Sequence, residues 1–348
     1  MQNAHSFVKA LHGLRGVAVL YVFLSHIGIG RYYLVPFVHY DHIGKIGVVI
    51  FFSLSAFLLT GRLTDEFEAR SSKLKTACTY FVHRFFRIYP LFVIVLVVHV
   101  LMGHFDWYVL LQHLLLQSGY VELWAIPVEF KFYFLIPLIA LFSVRFGKAK
   151  AIIGLLAGSL CAVIYSFYDP NVVFNNDIQL YQKLEPFLLG AVLALAMRLK
   201  DGRGESLPIF SAKWIGTAAV ISLAVSTYLF KHRGHDAIGE LLNPVTMLII
   251  SVGTAGLIVA ALQEGFLSRT LGSPMLVFFG EISFSMYLLH GFVLGLVWQH
   301  ARDWHYTGAW LITFATILFS WISYSVVERP GMKLGYRIGR LIGDSAVG

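Results

Sequence analysis

An arginine and a histidine lie eleven positions apart in the stretch LHGLRGVAVLYVFLSH, where Arg15 and His26 interrupt an otherwise apolar run. Eleven residues at ~100° each sum to about 1100°, which returns both side chains to within roughly 20° of one helical face, about 16 Å apart along the axis. One face therefore presents two ionisable groups at different depths. Such groups are costly in hydrocarbon and persist where they face a bundle interior or a watery cavity, so the pair is a candidate functional site. A neutral histidine takes or gives a proton near pH 7, which suits a general base acting on a hydroxyl. An interfacial histidine bonded to a neighbouring helix is the plainer alternative.

Two other stretches could do chemistry. Glu129 in LWAIPVEFKFYFLIPL sits just inside a later apolar run, at a depth expected to match that of His26. It could orient the imidazole or stabilise its charged form, or it could hold the bundle together through Lys131 or an arginine. Pro127 is expected to break that helix locally and free backbone groups to line a cavity. In HRFFRIYP, Arg84 and Arg87 are three apart, so their guanidinium forks share a face suited to a phosphate-bearing ligand or to lipid phosphates. With Arg15 on the same side, three arginines could surround one mouth. Ser53, Ser55 and Ala56 in FFSLSAFLL read as close-packing positions. Tyr287 and His290, three apart in SFSMYLLH, could line a cavity or simply pack. Glu328 and Arg329 in SYSVVERP are expected to form a cap or ion pair.

The elements that must position these groups are membrane helices. The 348 residues are 57% hydrophobic and 13% charged, about half the charged share of a soluble domain. Apolar runs of roughly 17 to 25 residues fall at about 10–30, 43–61, 85–103, 124–143, 150–168, 183–199, 211–230, 241–262, 274–298 and 307–327. The expected fold is an all-α bundle of about ten transmembrane helices forming one domain, with its core at about 10–330 and a short cytoplasmic C-terminal tail. The segment Trp107 to Gln117 is too short to cross and reads as interfacial or re-entrant.

Orientation follows from the bases. With the N-terminus in the cytoplasm, 19 Lys and Arg fall on the inside and 6 on the outside, a bias that puts both termini in the cytoplasm. The net charge of +8 is accounted for by this loop pattern and calls for no nucleic acid partner. Two cysteines, Cys78 and Cys161, make a disulfide framework improbable. None of the fourteen histidines stands in a close metal-ligand motif such as HExxH, and no metal is expected. No P-loop or GxSxG elbow occurs.

In their order along the chain these segments resemble the membrane-bound acyltransferase 3 family, bacterial enzymes that mostly O-acetylate surface glycans. LHGLRGVAVLYVFLSH resembles its Arg-x10-His signature, FFSLSAFLL its FFxxSGFLL segment, RFFRIYP its Arg-x-x-Arg element, and LWAIPVEFKFYFLIPL its segment with the acid at Glu129. SFSMYLLH and SYSVVERP resemble its closing segments. The chain departs from the pattern at His12, where the family often has Asp, at Ala56, where it has Gly, and at Phe130 and Lys131, where it has an acid and Gln. The resemblance implies a stand-alone O-acetyltransferase without an SGNH domain, in the bacterial cytoplasmic membrane. It implies acetyl-CoA as donor and a cell-surface or lipid-linked glycan as acceptor, with membrane lipids around the bundle. It also implies His26, Glu129 and Arg15 as catalytic residues, Arg84, Arg87 and Arg15 as donor-binding residues, and Trp124, Tyr287 and His290 on the acceptor side. A secondary transporter of an anionic or acylated solute is the competing class, although no inverted repeat is visible. A non-catalytic partner in glycan export is a third.

Overall fold

The computed structural model describes residues 2–36, 38, 40–41, 43–169, 178–199, 212–231, 237–301 and 303–344. Lys200, Arg203, Arg233 and Arg302, counted above for orientation, lie outside the described residues. Among the described residues there are helices and connections but no strand, as an apolar chain requires where every backbone group must be satisfied within its own segment.

The first long helices are α1 (Gln2–Ile29), α2 (Gly44–Ala69) and α3 (Lys73–Leu101). The short α4 (Trp107–Leu114) follows, started by Asp106, whose side chain accepts from the Val109 amide at 2.9 Å. A 3-10 turn at Val121–Trp124 leads into α5 (Ala125–Phe146), and α6 (Lys148–Tyr168) and α7 (Leu184–Arg198) come next. The second half contains α8 (Ala212–Lys231), α9 (Ala237–Ala261), α10 (Phe266–Leu271), α11 (Pro274–Glu281), α12 (Ser283–His300), α13 (His305–Ser323) and α14 (Arg329–Asp344).

Among the described residues eight helices are long and apolar enough to cross a membrane, against the ten expected. The expected span 274–298 is a broken pair, α11 and α12, bent by 73° at Ile282, and would bring the number to nine. The expected span 211–230 falls on α8, whose described apolar stretch, Trp214–Leu229, is shorter. Two boundaries differ for local reasons. Ser72 caps α3 by accepting from the Lys75 amide, so α3 begins twelve residues before the apolar run and the Arg-x-x-Arg pair lies well inside it. Pro127 does not break α5: it occupies the first turn, where a helix has no use for the missing amide hydrogen.

Helix α2 is the centre of the bundle, touching α1, α5, α7 and α9. Of its apolar window 78% is buried, against 17% for α6, whose outward face is left for lipid. The contacts around α1 and α2 are close because glycines face carbonyls: a Cβ at Gly47 would stand 2.2 Å from the Ala18 oxygen, and one at Gly280 would stand 1.9 Å from that of His12. These contacts hold α1 against α2 and α11 and so fix which way Arg15 and His26 face.

The expected C-terminal tail is a further helix. Residues Tyr324–Glu328 form a π turn that joins α13 to α14 in one continuous helix, and Gly331, Gly335 and Gly339 seat α14 on α3 at Phe86, His83 and Thr79.

Candidate functional site

Three arginines meet in one cavity. Arg15 of α1 and Arg84 and Arg87 of α3 line a space of about 550 Å³ together with Glu129 and Tyr133 of α5 and Tyr287 of α12. Arg15 Nη2 donates to Ser283 Oγ at 3.1 Å, and the Nε of Arg15 and of Arg84 are buried without a partner. Among the described residues none of the three forms an ion pair. Buried guanidinium groups without paired carboxylates are costly unless an anion completes them, and their forked donors match phosphate or carboxylate oxygens. This arrangement has the chemistry to hold an anion.

Two carboxylates temper the cavity. Glu129 Oε1 accepts from Ser55 Oγ at 2.7 Å and from Tyr133 Oη at 2.6 Å. Ser55 is therefore a polar partner and not merely a packing residue. Tyr133, one helical turn after Glu129, was unmarked in the sequence, and only its spacing of four could have revealed it. Glu328 is 1% exposed and accepts from Ser285 Oγ at 2.9 Å, with Arg87 and Arg15 as the cations that act on it. The expected Glu328–Arg329 cap or pair does not form: the π turn directs Glu328 inward, a backbone device common at functional sites.

His26 stands apart from this cavity's lining. Its Nδ1 lies 2.8 Å from the Val22 carbonyl oxygen and 3.2 Å from Nε2 of His290, with ring centroids 4.8 Å apart. The carboxylate that acts on His26 is Glu122 rather than Glu129. Glu122 is buried in the 3-10 turn before α5, and Tyr287 Oη donates to its backbone carbonyl. The expected equal depth of His26 and Glu129 placed them together. In the structure Glu129 belongs with the arginines, because α5 starts at Ala125 and the turn before it holds Glu122 next to the outer end of α1.

Tyr287 links the two groups, since it lines the cavity and bonds the turn that carries Glu122. His290 belongs wholly to the His26 group. Trp124, 5% exposed, lines a separate small recess, with Lys45 Nζ 4.2 Å and Lys183 Nζ 5.7 Å from its ring centroid. Val48 and Phe52 line both spaces. Phe52 stacks on Phe187 at 4.3 Å and meets Trp124 edge-on at 6.1 Å, so an aromatic wall divides the cavity from the recess.

At the far end of the cavity Arg62, Glu66, Arg198 and Tyr336 form the mouth. Arg62 Nε donates to Glu66 at 2.8 Å, and Arg198 grips both oxygens of Asp65 at 2.6 Å. No group of three or more His, Cys, Asp or Glu that could hold a metal occurs among the described residues.

The comparisons with known proteins point one way. The chain is 25% identical to Acyltransferase MdmB of Streptomyces mycarofaciens, covering 94% of this chain and 92% of that protein. It is 24% identical to a Staphylococcus aureus protein named provisionally as an O-acetyltransferase, covering 95% of this chain but 58% of the relative. It is 23% identical to the Bacillus subtilis protein YrhL, named provisionally as a peptidoglycan O-acetyltransferase, covering 96% and 56%. The chain thus spans little more than half the length of the staphylococcal and bacillar relatives. No solved structure matches. A family model described as an acyltransferase domain matches residues 8–327, and with the ordered motifs on the helices described above the chain belongs to the acyltransferase 3 family.

Proposed function

We propose that this protein is a multi-pass O-acyltransferase of the bacterial cytoplasmic membrane that moves an acetyl group from acetyl-CoA to a hydroxyl of a cell-surface or lipid-linked glycan. The observation that carries this reading is the cavity of about 550 Å³ ringed by Arg15, Arg84 and Arg87 without carboxylate pairs. A donor whose phosphates supply the missing negative charge fits this end, which the positive-inside bias turns to the cytoplasm.

The chemistry divides between the two ends of α1. Arg84, Arg87 and Arg15 hold the donor's phosphates, and the acyl arm runs along the wall formed by Glu129, Tyr133 and Tyr287. His26, at the outer end, takes the proton of the acceptor hydroxyl. The oxygen then attacks the thioester carbonyl carbon, the carbon–sulfur bond breaks, and the thiolate leaves with the proton that His26 returns. An ester and a free thiol are the products. For this the arm must pass the wall at Phe52 and Tyr287, and Tyr287, tied to the Glu122 carbonyl, marks that boundary. Trp124 and its flanking lysines face the acceptor's side.

The experiment is transfer of radiolabelled acetyl groups from acetyl-CoA by membranes carrying the protein, wild type against His26→Ala, with a lipid-linked glycan extract as acceptor. Loss of a positioned base costs ~10²- to 10⁴-fold in rate, so label in the glycan fraction is expected to vanish in the variant while the protein stays in the membrane. Near-normal transfer by His26→Ala overturns the assignment of the base. Failure of the wild type to bind CoA overturns the acetyl-CoA reading.

A further inference from the structure

His290 is 1% exposed, and its Nδ1 lies 2.7 Å from the carbonyl oxygen of Tyr287 and 3.2 Å from that of Met286. A carbonyl oxygen only accepts, so Nδ1 carries the hydrogen, and in the neutral ring Nε2 is left as a bare acceptor. That acceptor stands 3.2 Å from Nδ1 of His26. Nδ1 of His26 is also 2.8 Å from the Val22 carbonyl, which by the same rule requires a hydrogen on it. Both neighbours of this nitrogen are therefore acceptors. One neutral tautomer of His26 satisfies them: hydrogen on Nδ1 and the lone pair on Nε2.

The two acceptors are not equivalent. The Val22 carbonyl is four residues back in α1, where it already receives the helical amide of His26. His290 comes from α12 and offers a nitrogen with no other donor among its hydrogen bonds, so it fixes the rotation of the His26 ring relative to a second helix. The rings are tilted at 58° to each other and are not stacked face to face.

We propose that His290 is the positioning residue of the transfer site. It locks His26 in the Nδ1–H tautomer, leaves Nε2 facing the acceptor hydroxyl, and accepts more strongly from Nδ1–H once His26 has taken the proton. This rests on the reading of His26 as the base and gives His290 a role behind it, in place of direct contact with substrate. Glu122, held beside the pair by the Tyr287 bond to its backbone, supplies the negative charge that the protonated ring meets.

The test compares wild type with His290→Phe, which keeps a ring but offers no acceptor, and His290→Gln, whose amide oxygen restores one. In the acetyl transfer assay His290→Phe is expected to lower kcat roughly 10- to 100-fold with the KM for acetyl-CoA unchanged, and His290→Gln to recover most of that loss. Nitrogen-15 solid-state NMR of histidine-labelled membranes supplies the second readout, with the His26 signal assigned by its disappearance in His26→Ala. The wild type is expected to show hydrogen on Nδ1 of His26, and His290→Phe a mixture of tautomers. An Nε2–H tautomer in the wild type overturns the proposal whether or not either variant folds, and so does an unchanged kcat and spectrum in a folded His290→Phe. If His26→Ala retains turnover, the base assignment falls, while the spectrum still decides the tautomer.

Discussion

The two polar groups at either end of α1 are built on opposite principles. At the Arg15 end, three guanidinium groups surround open volume, with two Nε atoms left without partners. At the His26 end, both nitrogens of His290 and Nδ1 of His26 are engaged by carbonyls and by each other, and only Nε2 of His26 is left over. The first offers donors to open volume, and the second holds its rings in place with bonds made within the protein. A binding site is recognised by what it lacks; a proton-transfer site is recognised by how little freedom is left to it.

That contrast can be tested at each end. After His26→Ala, the largest effect is expected from Arg84→Ala, which on the proposed reading removes a charge-assisted partner of the donor. A loss of about 1.5–3 kcal/mol corresponds to roughly 10- to 100-fold in the KM for acetyl-CoA, with kcat little changed, as measured by initial rates over a donor titration. If kcat falls instead, the arginines act on the transition state and the two ends are not separate in function. A smaller effect is expected from Gly291→Ala. A Cβ there would stand 1.7 Å from Glu122 Oε1, so the carboxylate must swing away from the His26 pair. At an effective dielectric of ~20, moving the carboxylate a couple of ångströms further off weakens its attraction by about 1 kcal/mol, or roughly fivefold in kcat with donor affinity intact. The smallest belongs to Arg62→Ala at the mouth. Its ion pair with Glu66 is 53% exposed on the arginine side, and exposed pairs are worth only about 0.2–1 kcal/mol. Thermal stability in detergent is expected to stay within a degree or two, and a larger drop would show the mouth to be structural.

Much of this was legible in the sequence. Hydropathy alone places an apolar segment on every helix that builds the site except α14, and the spacing of Arg15 and His26 puts them on one face because α1 is regular. Arg84, Arg87 and Glu129 were legible as charges near the ends of apolar runs, with lipid anchoring or bundle pairing as the alternatives. Their grouping was not. Glu129 and His26 look level only if both helices start where their apolar runs start, and the 3-10 turn at Val121–Trp124 shifts that register, bringing Glu122 to the histidine. Glu328 looked like a terminal cap because a π turn cannot be read from hydropathy. Tyr133, Tyr336 and the α3–α14 seam were missed for a related reason: an aromatic or a glycine in an apolar run carries no signal until the partner helix is in place.

The continuity of α13 and α14 has a consequence for how the proposed donor would be solvated. From His305 to Ile342 the helix runs 38 residues, about 57 Å, nearly twice the ~30 Å of bilayer hydrocarbon. If α13 enters at His305, the oily layer ends near the π turn, and Tyr336 stands roughly 16 Å further out, at the level of bulk water. On that placement Tyr336, which lines the cavity, lies beyond the hydrocarbon. The multiply charged head of the proposed donor would stay hydrated there, with only its slender arm drawn into the membrane.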